Sequence, residues 1–153
     1  MKEIRVAPIR NGTVIDHITA GQALNVLKIL GVNEHSIDST ISVVIKVPSQ
    51  KGMKWKDVVK LEDRELDPET VDKIALIAPN ATIVIIRDYY VAEKYKVKLA
   101  DKIVGLARCS NPHCITNMGE PVAPEFNVVS RDPLKLRCAY CDRKLTNISD
   151  NLL

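Results

Sequence analysis

A chain of 153 residues, 46% of them hydrophobic, can build one ordinary domain or two small ones. A net charge of only +3 and an aromatic content of 4% argue against a phosphate-gripping or base-stacking nucleic-acid binder. No apolar run approaches the roughly 20 residues that cross a bilayer, and residues 1–10 hold no apolar leader core, so a soluble, cytoplasmic protein is expected.

Residues 4–9 and 13–18 are short apolar runs separated by Asn11-Gly12, a tight-turn signal, and they read as a hairpin with Pro8 marking an edge or a bulge. Leu24, Leu27, Ile29 and Leu30 sit at helical spacing within 20–30, with Gly31 as the C-terminal cap. The β-branched run 41–47 ends at Pro48, and 57–61 reads as its partner strand. Asp67-Pro68 is an N-cap followed by proline at the first helical position, and Val71, Ile74, Ala75 and Ala78 mark an amphipathic helix that Pro79 stops. Residues 82–87 read as a buried strand. Strict alternation over 89–99 puts Val91, Glu93, Tyr95, Val97 and Leu99 on one face. This order predicts an α+β fold: a ferredoxin-like antiparallel sheet with two helices over residues 1–100. A small β-rich module over 101–153, rich in turn residues, is expected to follow it.

That module holds every cysteine of the chain. Cys109 and Cys114 form C-x4-C, and Cys138 and Cys141 form C-x2-C. Two short-spaced pairs bring four thiolates to the corners of a tetrahedron, which suits one structural Zn²⁺ with no position left for an activated water. Disulfides, redox chemistry and an iron centre are the alternatives; a reducing compartment favours metal. With the thiolates and the ion counted, the module is slightly negative, unlike a zinc ribbon that grips nucleic acid.

No glycine-rich phosphate loop and no G-x-S-x-G segment is present, and four sulfurs saturate the ion, so His113 is expected in an exposed loop and His35 at the surface. Catalysis by this chain alone is not expected. Asp16-His17, with Lys60, Lys94 and Lys96 on other predicted strands, could receive a small anion across one sheet face. The pattern by itself is weak, since alternating lysines usually form a solvated face.

In order along the chain, Gly12 to Ile18 (GTVIDHI), Lys56-Asp57 and Lys60, Ala78 to Thr82 (APNAT), Tyr89-x-Val91, Lys94 and the two cysteine pairs resemble the regulatory chain of aspartate carbamoyltransferase. Asn111, Glu120-Pro121-Val122 and Tyr140 extend the resemblance to the whole chain. It implies a non-catalytic subunit of pyrimidine biosynthesis. The N-terminal domain would pair with a second regulatory chain and bind CTP, ATP or UTP, and the zinc domain would dock on the catalytic chain. Carried over by position, the nucleotide site comprises Val6, Ala7, Ile9, Val14, Asp16, His17, Val58, Lys60, Ile86, Tyr89, Val91 and Lys94. The resemblance puts His17 and Lys94 near phosphates, Asp16 and Lys60 near ribose, and the backbone around Ile9 and Tyr89 at the base edge. Val84 stands where members of the family place asparagine, and Ala7-Pro8 replaces a Glu-Ala pair. Both departures bear on base discrimination rather than on phosphate binding.

Overall fold

The computed structural model describes residues 9–32, 40–49, 52, 54–131 and 133–153. The chain divides into two compact units between Val97 and Lys98. Among the described residues no helix is long and apolar enough to cross a membrane.

The first unit runs β1 (Gly12–Thr19), α1 (Ala23–Ile29), β2 (Ile41–Pro48), β3 (Trp55–Glu62), α2 (Pro68–Ile77), β4 (Thr82–Arg87) and β5 (Tyr90–Lys96). Its five strands are hydrogen-bonded in the order β2-β3-β1-β4-β5, with every neighbouring pair antiparallel. β3 lies between β1 and β2, and β1 between β3 and β4, so each helix connects strands that are not neighbours. This is the split β-α-β arrangement of ferredoxin-like sheets, extended by β5. Ile15, Val59, Leu61 and Ile83 are completely buried on one face of the sheet. Helix α1 packs on α2 and β3, and Val26, Ile74 and Leu76 are buried with the strand residues.

Local chemistry explains the helix limits. The Asp67 side chain accepts the Thr70 N–H at 3.2 Å and Pro68 opens α2; Ala78 caps it beside Pro79. At the end of α1, Gly31 N–H donates to Lys28 C=O and Val32 N–H to Leu27 C=O, a Schellman closure that needs the left-handed φ of 76° at Gly31. Helix α1 is shorter than expected and is rotated relative to the expected apolar stripe. Ala23, Val26 and Leu30 face inward, while Leu24 is 67% exposed. The spacing i, i+3, i+7 of the first three defines the buried stripe.

Two further expectations change. Gly12 is a strand residue, paired with Glu62 on one side and Ile86 on the other. Both sides of β1 are therefore occupied from Gly12 to Ile15, and neither is open to a hairpin partner; residues 4–8 of that expected partner lie outside the described residues, as does His35. In β5 the register against β4 shifts between Ile85 and Ile86, where Glu93 and Val91 are the partners. The extra residue, Ala92, reverses the alternation and moves Val91 to the face opposite Glu93 and Tyr95.

The second unit contains β6 (Lys102–Val104), β7 (Glu125–Arg131) and β8 (Leu134–Cys138), an antiparallel sheet in that order, with two single 3-10 turns. Phe126 and Leu136 are completely buried, and Ile103, Ala107 and Leu145 nearly so. Among the described residues, the rest of the buried interior is three cysteines, Cys109, Cys114 and Cys138.

Candidate functional site

Residues paired across antiparallel strands point to the same side of a sheet, so the register decides which side chains share a surface. Lys60 pairs with Val14, Val14 with Val84, and Val84 with Lys94, one continuous rung across β3, β1, β4 and β5. The next rung is Asp16, Thr82 and Lys96; on the other side lie Gly12, Ile86 and Val91. Val58 is two residues from Lys60 and shares its face. The alternating residues Ile15, Val59 and Ile83 are buried, whereas Val14, Asp16, Val58, Lys60, Val84 and Ile86 are half-buried and Val91 and Lys94 exposed. Seven of the expected site residues thus occupy one open face with a lysine near each end of its central rung.

Of the others, Ile9 is buried, and Tyr89 stands on the β4–β5 turn at φ 69° with its N–H donated to the Arg10 carbonyl at 2.8 Å. Asp88 N–H reaches the Asn11 side-chain oxygen at 3.1 Å, so this turn is tied to residues 10 and 11. Val6 and Ala7 lie outside the described residues.

His17 owes its position to a bulge. The β1–β3 register shifts between Ile15 and Ile18, and His17 adopts φ 56°. Its N–H donates to Asp16 Oδ1 at 2.7 Å, and Lys56 Nζ stands 2.9 Å from the same oxygen. Burial pushes the Asp16 carboxyl up, but the Lys56 hydrogen bond, the His17 N–H and the Lys56 charge together hold it below its ordinary value. Beside His17 opens a cavity of about 680 Å³ lined by His17, Gly52, Asn80, Thr82, Lys94, Tyr95 and Lys96. Such a cationic, hydroxyl- and amide-bearing recess suits a polyanion. Sequence reasoning left Lys56, Asn80 and Thr82 out of the site, and it placed Lys96 in the candidate anion set but not in the nucleotide site that the resemblance implies. Lys96 was signalled by sharing the phase of Lys94; the Asp16 partnership of Lys56 requires the register.

In the second unit the four sulfurs of Cys109, Cys114, Cys138 and Cys141 lie within 4.8 Å of one another. Cys109 Sγ is 3.7 Å from Cys141 Sγ, and Cys114 Sγ is 3.7 Å from Cys138 Sγ. A disulfide needs about 2.05 Å. A tetrahedron with metal–sulfur bonds of about 2.3 Å has edges of about 3.8 Å, which these separations match. The Asn117 amide fixes the first loop by donating to the Cys109 and Asn111 carbonyls at 2.9 and 2.7 Å. Thr116 Oγ1 lies 3.2 Å from Cys114 Sγ. Burial drives the Cys109 thiol up to about 12. At Cys141 burial acts the same way, but the Arg143 N–H, the Asn111 side chain and neighbouring thiols bring it down to about 7. His113 is exposed and lies outside the sulfur cluster.

Residues 4–98 match the family model for the aspartate carbamoyltransferase regulatory chain, allosteric domain, and residues 101–149 match the model for its metal binding domain. The chain belongs to this family. Regulatory chains of Methanothrix thermoacetophila and Thermoplasma volcanium are 58% and 53% identical to it, covering 99% and 94% of this chain and 98% and 93% of their own. That of Pyrococcus abyssi is 51% identical over 95% of this chain and 94% of its own. It is a regulatory rather than a catalytic subunit, with an allosteric domain built on the five-stranded sheet and a metal-binding domain built on the four cysteines.

Proposed function

We propose that the open face of the five-stranded sheet binds a nucleoside triphosphate, CTP, ATP or UTP, and that occupancy there modulates a separate catalytic chain. The rung Lys60–Val14–Val84–Lys94 carries this reading: two apolar residues between two cations offer a surface for a base and sugar with charge at its ends. In this reading Asp16 accepts a ribose hydroxyl and the phosphates enter the cavity, a role supported by the presence of His17, Lys94 and Lys96 in its lining. The functional division is 1–100 for the effector domain and 101–153 for the domain that meets the catalytic chain.

The metal is one Zn²⁺ per chain, since four thiolates at tetrahedral spacing are its usual structural set. Docking on the catalytic chain is supported by Ile115, Met118 and Tyr140, which are exposed beside the cysteine loops. Pairing with a second regulatory chain is supported by β2, an edge strand with Ile45 51% exposed. Free thiols agree with a cytoplasmic setting.

Calorimetric titration of CTP and of ATP into the full chain tests the central claim. Binding is expected for the wild type. Lys94→Ala should weaken it by roughly 10- to 100-fold, the loss of one charge-assisted contact. Unchanged affinity in that variant would contradict the placement of the phosphates.

A further inference from the structure

Two bulges flank one dipeptide of β3. In β1 the register shifts between Ile15 and Ile18, with His17 at φ 56°; in β2 it shifts between Val44 and Val47, with Lys46 at φ 57°. Neither residue is glycine, and such a conformation persists only where the surroundings hold it. Both irregularities abut Lys56 and Asp57. Ile18 and Thr19 pair with Asp57 and Lys56 from one side, and Val47 pairs with Lys56 from the other.

Each bulge directs an amide to a carboxylate. His17 N–H donates to Asp16, and Lys46 N–H donates to Asp57 Oδ1 at 2.8 Å. Asp57 is completely buried, and its Oδ2 accepts the N–H groups of Gly21 at 2.9 Å and Ala23 at 3.1 Å. One internal carboxylate therefore holds both the start of α1 and the bulge of the edge strand β2. Its neighbour Lys56 points to the opposite, open face and holds Asp16, which in turn holds the His17 bulge. Asp16 and Asp57 are thus two anchors on opposite faces, joined by the single peptide link between Lys56 and Asp57.

We propose that Asp57 is the positioning residue that couples anion binding on the open face to the start of α1 and the β2 edge. The inference rests on the nucleotide reading above. A phosphate beside His17 competes with Asp16 for the Lys56 ammonium. The accompanying shift of the β3 backbone changes how firmly Asp57 grips its three amides. Effector and edge are coupled to the extent that the effector favours one of these two arrangements over the other.

Hydrogen exchange of the full chain, measured with and without saturating CTP, tests this. In the wild type, CTP should slow exchange at the Gly21, Ala23 and Lys46 amides by at least about fivefold, the lower end of ordinary coupling. Asp57→Asn should still bind CTP calorimetrically but lose that slowing. CTP bound with those three amides unchanged in the wild type overturns the proposal, as does equal slowing in Asp57→Asn. Absence of any binding heat sinks the nucleotide reading and this inference with it, a result distinct from binding without coupling. If Asp57→Asn fails to fold, Lys56→Met replaces it. At a CTP concentration shown calorimetrically to saturate that variant, loss of the slowing supports the relay, and slowing that persists overturns it.

Discussion

At the scale of single residues, Asp16 shows how charge and backbone geometry combine. Its carboxylate answers an ammonium and a bulged amide at once, and its proton affinity falls below the usual 3.8 despite partial burial. The unfolded chain therefore binds this proton more readily than the folded one. The stabilisation is complete above about pH 4 and is lost as the pH falls through the lower folded value. Comparing acid unfolding of the wild type with Asp16→Asn should show a stability gap that narrows below that pH; a gap that widens would refute the assignment. Asp16 and His17 were legible as candidates because an acid and a base follow one another in an apolar strand. Lys56 was not, since its distance from Asp16 along the chain is bridged only by strand pairing.

At the scale of elements, the strands and both helices of the first unit were readable from periodicity and punctuation: β-branched runs, the Asp67-Pro68 start and the Gly31 stop; β6, β7 and β8 were expected only as an unplaced β-rich module. The bulges were not. A single extra residue leaves hydropathy nearly unchanged yet reverses every later side chain, which is why Val91 had to be reassigned from the face of Glu93 to that of Lys94. Gly12 was misread for a related reason, because an Asn-Gly pair signals a tight turn locally, whereas here a neighbouring backbone sets the need. A Cβ at Gly12, where φ is 149°, would lie 2.0 Å from the Leu61 carbonyl oxygen. Gly12→Ala should cost on the order of 3 kcal/mol, from overpacking and backbone strain together, and should pull β1 from β3. A denaturant midpoint within error of the wild type would show that the two strands separate freely.

At the scale of the whole molecule, the two units are stabilised by different chemistry. The sheet unit has a continuous aliphatic core under its helices. The smaller unit centres on Phe126, Leu136 and sulfur, and so little apolar material needs a metal to complete it. Phe126→Ala should cost about 3–5 kcal/mol and is expected to unfold the module even with metal present, as read by its amide spectrum. Chelation should collapse the amide signals of residues 98–153 while leaving the emission of Trp55, the only tryptophan, unshifted. A shifted Trp55 emission would mean that the sheet also depends on the ion.

Two sulfur contacts of 3.7 Å, Cys109 with Cys141 and Cys114 with Cys138, each join one cysteine pair to the other. A bound ion therefore acts as a removable cross-link between segments far apart in the chain. In the saturating range, each tenfold change in free metal alters the stability of the module by about 1.4 kcal/mol. Metal supply thereby becomes a rheostat on how many copies carry a folded module.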